Sequence, residues 1–207
     1  MFVRIPTPVG VPPNIEVVKW LMWAARFTDW NIGCHETNAG IADSRNQICE
    51  EFLLSNHDEL WMIDSDVVPN TRALKGPYSI LCGVYPHIID NFGERRVVWS
   101  TWQEQDDGYV PMQLKDHRFP VDAAGTGCMR LNRKVLEKIA FPWFENHFER
   151  GTKTMVLGED YDFCRKAKAA GEKVWVDPNY RCHHMKMASI GQVEDAVMNN
   201  LKMSEAA

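Results

Sequence analysis

The first third of the chain alternates between segments with strand character and segments with helical spacing. Met1–Ile5 is a short apolar run that predicts a strand stopped by Pro6, Pro8 and Gly10, and Trp30–Cys34 predicts a second strand. Between them, after Pro12 and Pro13, apolar residues recur at the spacing of one helix face. That face comprises Ile15, Val18, Leu21, Met22 and Ala25. The order strand, helix, strand is typical of a βαβ unit.

The next segments combine a helix with a strand that ends in an acidic loop. A helix is predicted over about Gly40–Ser55, and its inner face comprises Ile41, Ile48, Phe52 and Leu53. Glu59–Ile63 is too short for a helix, so it predicts a buried strand, and Asp64-Ser65-Asp66 follows as a loop. Ser79–Tyr85 predicts another strand. A hairpin is predicted from two runs, Val97–Trp102 and Tyr109–Gln113, around the polar connection Gln103–Gly108.

The second half predicts further helices and strands in the same domain. A basic helix is expected over about Asn132–Ile139. Another helix is expected from Gly158 to Ala170, with Gly171 as its cap. Lys173–Val176 predicts a strand, and a short one follows up to Cys182-His183-His184. The last pattern, Val193–Met203, predicts a terminal helix. Together these elements predict an α/β fold, with one mixed sheet flanked by helices in a single domain over residues 1–207.

Composition narrows the class of protein. With 207 residues and 45% apolar side chains, the chain can bury one full core. Its net charge of −5 excludes a basic field over the whole molecule. No apolar run approaches the roughly 20 residues of a membrane span, and no secretory signal is evident, so we expect a soluble, cytoplasmic protein. Six cysteines stand singly, without the spacing of zinc or redox motifs, which favours buried thiols.

The strongest local signal for chemistry is Asp64-Ser65-Asp66. Ligands of open α/β sheets bind outside the carboxyl ends of the strands, where this loop is predicted. One carboxylate can reach a ribose hydroxyl while the other holds Mg²⁺ or Mn²⁺ against a diphosphate. A D-x-D motif is short, and Asp160-Tyr161-Asp162 repeats it. The alternative is a pair of aspartates that caps a loop.

Five short blocks occur in an order that resembles the GT-A glycosyltransferases, in particular compact family 2-like enzymes that include short viral and phage members. The likeness covers about residues 1–186. It implies a nucleotide-binding half over about 1–90, an acceptor and catalytic half over about 91–190, and a C-terminal helix over about 191–203. The blocks are Ser44-Arg45-Asn46, Leu60–Asp66, Ala124–Met129, Gly158–Phe163 and Cys182-His183-His184.

The resemblance implies a donor site at the start of the chain and around the acidic loop. A nucleotide-diphosphate sugar, with UDP favoured, would be bound by Pro6, Thr7, Arg45, Asp64, Ser65, Asp66, Gly125, Thr126, Gly127 and Lys186. Mn²⁺ or Mg²⁺ would be held by Asp66 and His184, with Asp64 as a further candidate ligand. Glycines 125 and 127 would let the backbone approach the donor sugar or the acceptor. If the protein is viral, like the short members of the resembled family, the expected location is the host cytoplasm.

Glu159 and Asp160 match the acidic pair of family 2, in which the aspartate is the base of an inverting transfer. Such a transfer needs a carboxylate that takes the proton of the acceptor hydroxyl. We expect Asp160 to be ionised at neutral pH because it lies at a predicted helix N-terminus. The alternative is that both residues only cap that helix.

The acceptor is predicted less sharply. A saccharide or glycoconjugate is the expectation, with Glu159 and Trp143 as candidate contacts and with Trp99 and Trp102 in neighbouring segments, although core packing is the alternative for each tryptophan. Residues 129–186 carry 12 basic and 8 acidic side chains, which keeps modified DNA open as an acceptor. The residues that could grip its phosphates are Arg130, Arg133, Lys134, Lys138, Arg165, Lys166 and Lys168. A retaining enzyme and a noncatalytic sugar-nucleotide or glycan binder also stay open. Dinucleotide, P-loop and zinc-deaminase motifs are incomplete or missing.

Overall fold

The computed structural model describes residues 1–91, 94–106, 108–186 and 190–205. The helices in these ranges are α1 (Ile15–Phe27), α2 (Ile41–Leu54), α3 (Arg133–Lys138), α4 (Glu159–Ala169) and α5 (Ile190–Glu205). The strands are β1 (Phe2–Pro8), β2 (Asn31–Thr37), β3 (Glu59–Ile63), β4 (Val67–Val68), β5 (Ile80–Val84), β6 (Pro86–Asn91), β7 (Glu94–Trp99), β8 (Thr101–Gln105), β9 (Gly108–Pro111), β10 (Phe119–Val121), β11 (Ala123–Ala124), β12 (Cys128–Asn132), β13 (His147–Phe148), β14 (Met155–Leu157), β15 (Val174–Arg181) and β16 (His183–His184).

The predicted mixed sheet is confirmed. Seven strands form it in the order β10-β15-β5-β12-β3-β1-β2. Strand β1 pairs in parallel with β2 and β3, whereas β12 runs antiparallel to both β3 and β5. Because β12 opposes its two neighbours, β3 and β5 point the same way. The carboxyl ends of β1, β3 and β5 therefore meet at one edge, where ligands of α/β sheets bind.

Side chains of successive strand residues enter two separate cores. In β1, Phe2 packs in one core and Val3 in the other, and in β3 Leu60 and Trp61 divide in the same way. Helix α1 contributes to the core that contains Val3, while α2, α3 and α4 cover the opposite face. The sheet is thus a middle layer between helices, as the sequence predicts.

Two expectations for the first segment are wrong. Strand β1 does not end at Ile5 but passes through Pro6 and ends at Pro8, because beyond Arg4 it pairs only with β2, and proline is tolerated where one side of a strand has no partner. In α1 the buried residues are Val17, Trp20 and Ala24 rather than the predicted stripe. Of that stripe, Ile15 and Met22 are 63% and 69% exposed.

The predicted hairpin forms, with different bounds. Strand β8 pairs antiparallel with β9. The run Val97–Trp102 is not one strand, because it bends at Ser100, and Val97–Trp99 pairs with Pro86–Ile88 in the separate hairpin β6–β7. The bend is fixed by Ser100, whose backbone N–H donates to the Tyr85 carbonyl at 3.0 Å.

The predicted helices α2, α3 and α4 are confirmed within one or two residues, and Gly171 has a positive φ of 81° beyond the end of α4. On α2, Ile48 and Phe52 are buried as predicted, but Ile41 is 41% exposed. Strand β15 passes through Pro178 to Arg181 instead of ending at Val176.

The terminal helix α5 is longer than predicted and packs against β7. No helix in the described ranges is both long and apolar enough to cross a membrane. All six cysteines are unpaired, and five are buried as expected, while Cys34 is exposed on the edge strand β2.

Candidate active site

A cavity of about 240 Å³ lies at the sheet edge where β3 and β5 end. Asp64 and Asp66 reach it from the loop after β3, and Arg45 reaches it from the first turns of α2. Glu159 and Asp160 enter from the start of α4. We call this space the site cavity, and its lining residues are Ile41, Arg45, Asp64, Asp66, Tyr85, His87, Thr126, Glu159, Asp160, His184 and Lys186.

Arg45 connects two acidic segments that are far apart in sequence. Its side chain is 4% exposed and donates to Asp64 Oδ1 at 2.8 Å and to Glu159 Oε1. Burial opposes the charge of Arg45, but Asp64, Glu159 and Asp160 outweigh it and raise the pKa of the guanidinium above its ordinary value. Arg45 therefore stays charged and fixes both carboxylates at the edge of the sheet.

Asp66 faces two basic side chains that follow β15. Its Oδ2 atom accepts from the Lys186 ammonium and lies 3.7 Å from His184 Nε2. Burial opposes ionisation of Asp66, but its interactions with His184 and Lys186 prevail and lower its pKa to about 2. The antiparallel pair of β16 and β4 brings these residues together, since His184 is the register partner of Val67.

The hydrogen bonding of His184 fits a metal ligand. Its Nδ1 atom lies 2.8 Å from the carbonyl oxygen of Pro86, which can only accept, so Nδ1 carries the ring proton. Nε2, which lies 3.7 Å from Asp66 Oδ2, is then the ring atom that would coordinate an ion. The donor set of Asp66 and His184 thus fits a divalent ion.

Asp64 occupies a different position from Asp66. One of its oxygens binds Arg45, and its backbone N–H donates to the Gly127 carbonyl at 3.0 Å. Its candidate role as a further metal ligand stays a prediction. His183 projects away from Asp66, as its exposure indicates, in agreement with the expectation that only one of the two adjacent histidines faces it.

The two adjacent carboxylates Glu159 and Asp160 are in different environments. Glu159 is held by Arg45, while Asp160 Oδ1 accepts from the backbone N–H of Tyr161 at 2.9 Å. Burial and the neighbouring Glu159 charge raise the pKa of Asp160 to about 6, so the dipole of α4 does not dominate, contrary to our expectation. Asp160 is still mainly ionised at pH 7, with a pKa suited to a general base.

The segment Gly125-Thr126-Gly127 is shaped by Tyr85. A Cβ atom on Gly125 would lie 2.3 Å from the Tyr85 hydroxyl oxygen, and one on Gly127 would lie 2.6 Å from it. The Tyr85 hydroxyl accepts from the Gly127 N–H at 2.9 Å. The glycines thus make room for a buried tyrosine, whereas the sequence suggested an approach to substrate. Thr126, which is 1% exposed, does line the site cavity.

Other predicted residues lie outside the cavity lining. Pro6 and Thr7 stand at the end of β1, where the Thr7 hydroxyl faces the His35 carbonyl at 3.4 Å. Ser65 accepts a backbone hydrogen bond from Asn14, which joins the acidic loop to the start of α1. Trp143 is 6% exposed and its indole N–H donates to the Leu136 carbonyl, so it is a core residue and offers no face to an acceptor.

Sequence reasoning missed Ile41, Tyr85 and His87. Tyr85 and His87 follow β5, whose carboxyl end lies at the same edge as that of β3, so the strand-end rule applied to Asp64 would have found them. Burial, together with His184 and Lys186, lowers the pKa of His87 to about 4, so this ring is neutral at pH 7.

A second group of metal-ligating side chains consists of Glu145, His147 and Asp162. Asp162 is fully buried and lies 2.6 Å from Lys166 Nζ and 2.9 Å from His147 Nε2. Its carboxylate already has the Lys166 ammonium as a cationic partner. The arrangement is that of a buried ion pair that anchors α4.

The basic residues expected to grip DNA mostly have partners inside the protein. Arg130 binds Glu59, and Arg133 donates to four backbone carbonyls. Lysines 138, 166 and 168 and Arg165 form ion pairs with acidic side chains. Six of the seven candidates are therefore engaged structurally, with Lys134 the exception.

No family model and no curated protein matches the chain. Among solved structures, A197 from STIV matches with a TM-score of 0.60 and 18% identity over 90% of this chain and 85% of A197. GalNAc-T7, solved with UDP, GalNAc and Mn²⁺, matches with a TM-score of 0.57 and 12% identity over 96% of this chain and 47% of that one.

Residues 1–349 of S. aureus TarS, in complex with UDP-GlcNAc, match with a TM-score of 0.54 and 12% identity over 93% of this chain and 60% of that one. This chain thus spans about half of GalNAc-T7 and three fifths of the TarS chain. At these identities the likeness concerns the fold, which is a mixed seven-stranded sheet flanked by helices. The chain has the GT-A fold that its sequence resembles.

Proposed function

We propose that this protein is a metal-dependent glycosyltransferase that moves a hexose from a nucleotide-diphosphate sugar, UDP-linked by preference, to an acceptor hydroxyl. The observation that carries the proposal is that the Asp66–His184 pair and the Asp160 carboxyl group line the same cavity. The Asp66–His184 pair suits a divalent ion with a diphosphate, and the Asp160 carboxyl group suits a base. GalNAc-T7 with UDP and Mn²⁺ and TarS with UDP-GlcNAc add support from the same fold.

Asp66 and His184 would hold the ion, which would supply positive charge to the leaving diphosphate. A set that includes an imidazole favours Mn²⁺ over Mg²⁺, since Mg²⁺ prefers oxygen ligands. Lys186 is 61% exposed and pairs with Asp66. Its ammonium can turn to a phosphate oxygen and neutralise charge there.

Asp160 takes the proton of the acceptor hydroxyl as that oxygen forms its bond to the anomeric carbon and the bond to the diphosphate breaks. In the described ranges, the hydrogen bond that Asp160 accepts comes from its own helix, so one carboxylate oxygen can receive the proton. Glu159 is the weaker candidate because Arg45 engages it. A positioned base supports an inverting rather than a retaining transfer.

We propose a saccharide or glycoconjugate as the acceptor. The DNA alternative depends on the basic span over residues 129–186, and its support is weakened because Arg130, Arg133 and Lys166, which are largely buried, already bind partners inside the protein. A noncatalytic binder is less consistent with a carboxyl group whose pKa lies close to neutral pH. The unpaired cysteines support a reducing, cytoplasmic location.

A thermal-shift and turnover experiment tests the proposal. The protein is melted with nucleoside diphosphates and their sugars, each with and without Mn²⁺, since a ligand of the native state raises the melting temperature. We expect a metal-dependent shift with UDP and its sugars, followed by release of UDP when an acceptor is added. NMR of the product then assigns its anomeric configuration. Absence of any nucleotide-dependent shift would contradict the proposed function.

A further inference from the structure

A second cavity adjoins the site cavity beside the pair of Asp66 and His184. It has a volume of about 680 Å³ and lies between the hairpin β6–β7 and the start of helix α5. We call it the hairpin pocket. Three residues, His87, His184 and Lys186, line both cavities, so the two spaces are continuous at the position of the proposed metal ion.

The two substrates of a transfer need more room than the site cavity provides. Its volume of about 240 Å³ is below the range of about 300–1,000 Å³ that is usual for small-molecule sites, whereas the hairpin pocket is within that range. At this size the site cavity holds the reacting groups, and the rest of the acceptor has to extend beyond it. A molecule whose hydroxyl reaches Asp160 can continue past His87 into the hairpin pocket.

The cations in the lining of the hairpin pocket already have carboxylate partners. Arg95 forms ion pairs with Asp90 Oδ2 at 3.1 Å and with Asp195 Oδ2 at 3.2 Å. Lys186 pairs with Asp66. Because these charges are matched within the protein, the hairpin pocket does not favour an anionic occupant.

Apolar side chains from both elements complete the lining. They are Pro86, Ile88 and Val97 from the hairpin and Val193 from α5, and Ile88 and Val193 are each 44% exposed. Two hydrogen bonds join α5 to β7 beside the pocket, since Asn200 Nδ2 donates to the Val97 carbonyl at 2.8 Å and the Val97 N–H donates to Asn200 Oδ1 at 3.1 Å. The apolar walls are therefore held in place and open to a ligand.

We propose that the acceptor is a glycoconjugate with a hydrocarbon chain, and that the hairpin pocket binds this chain while the acceptor hydroxyl reaches Asp160. This inference rests on the proposed function and specifies the class of its acceptor. A hydrocarbon chain matches walls that are apolar and carry no unmatched charge. Each methylene that such walls bury tightens binding about fourfold.

The test varies the chain while the head group stays constant. Isothermal titration, with and without UDP and Mn²⁺, measures Kd for n-butyl, n-hexyl and n-octyl β-D-glucoside below the concentrations at which they form micelles. The chain increment is the ratio of Kd for the butyl compound to Kd for the octyl compound, in which the contribution of the glucose cancels. The variants are Ile88→Thr and Val193→Thr. Val197→Thr is the matched control, because Val197 lies one turn further along α5 with 45% exposure and is outside the pocket lining.

We expect a chain increment of about 100-fold in the wild type, somewhat less than four fully buried methylenes would give. Ile88→Thr and Val193→Thr should each reduce it about fourfold, and Val197→Thr should leave it within about twofold. Kd for UDP should stay within about twofold in all three variants.

Three results would overturn the inference: a wild-type chain increment below about threefold, equal effects of Val193→Thr and Val197→Thr, or displacement of UDP by the octyl compound, which would assign the hairpin pocket to the nucleoside. UDP binding without a chain increment would overturn this inference alone. Absence of UDP binding would overturn the proposed function, whatever the alkyl glucosides do.

Discussion

Replacing Asp160 with Asn should stabilise the protein at neutral pH while it abolishes sugar transfer. The folded state raises the pKa of Asp160 from 3.8 to about 6, chiefly through burial. Ionising this carboxyl group therefore costs free energy in the folded protein. The destabilisation grows as the pH rises from about 4 to about 6 and is constant above that. Asn removes the charge, so the gain in stability should follow the same pH window.

The magnitude follows from the size of the pKa difference. The interval between 3.8 and about 6 corresponds to about 3 kcal/mol at 1.36 kcal/mol per pH unit. We expect about 2 kcal/mol for Asp160→Asn, since solvent reaches part of this side chain. For a chain of this length, that raises the melting temperature by about 4–8 °C.

Urea unfolding at pH 4 and at pH 7.5 measures the effect, and turnover of the donor measures activity. The matched control is Asp162, which lies two residues further along the same helix. Asp162 is buried but paired with Lys166 and His147, and these contacts hold its pKa below the ordinary value despite burial. Asp162→Asn should therefore destabilise the protein at pH 7.5, the opposite sign to Asp160→Asn.

The reasoning fails if Asp160→Asn is no more stable than the wild type at pH 7.5, or if its advantage is equally large at pH 4. An Asp160→Asn protein that transfers sugar at the wild-type rate would refute the role as base. The expected result is that Asp160→Asn stabilises the protein and loses transfer while Asp162→Asn destabilises it. That result would identify Asp160 as a carboxylate kept for activity at the expense of stability.

Four further outcomes follow from the same geometry. In the wild type, kcat/KM should rise with pH through about 6 as Asp160 ionises, and a profile that is flat from pH 5 to 7 would contradict this. Arg45→Met should lower the free energy of unfolding by about 3–5 kcal/mol in urea titrations, because it leaves two partly buried carboxylates without their cation. Asp66→Asn should remove Mn²⁺-dependent UDP binding in calorimetry and leave the circular dichroism spectrum unchanged. Gly125→Ala should destabilise the fold by about 1–3 kcal/mol, because the new Cβ would meet the Tyr85 hydroxyl. Adding Tyr85→Phe, which removes that hydroxyl, should restore part of the lost stability.

Much of the fold could be predicted from local patterns. The run Glu59–Ile63 is the observed strand β3 with unchanged bounds, and Gly171 ends α4 as predicted. These elements are set by burial period and by backbone preference, which act within a few residues. The predicted inner face of α1 was wrong because Trp20 packs against Trp61, with ring centroids 5.5 Å apart, and that contact depends on the tertiary fold.

The residues of the candidate site also divide into those that local patterns predict and those that only the tertiary fold brings to the cavity. Asp64, Asp66 and Asp160 could be proposed from the sequence because they stand at the ends of recognisable elements. His87 follows a strand as well, but a hairpin missed in the sequence, β6–β7, carries it to the cavity. The roles of Gly125 and Gly127 depended on Tyr85, which lies 40 and 42 residues away along the chain. Close packing between such distant residues leaves no periodic signal in one sequence.

Arg45 explains why two adjacent carboxylates differ. Its side chain engages Glu159 through Nη1 and Asp64 through Nη2. Asp160 keeps the electrostatic influence of Arg45, which lowers its pKa, without a direct ion pair, while burial and Glu159 raise it. A direct pair would hold the carboxylate far below neutral pH and weaken it as a base, and a wholly apolar site would leave it protonated. The position of Arg45 between Glu159 and Asp64 thus keeps Asp160 ionised at pH 7 and still basic enough to accept a proton.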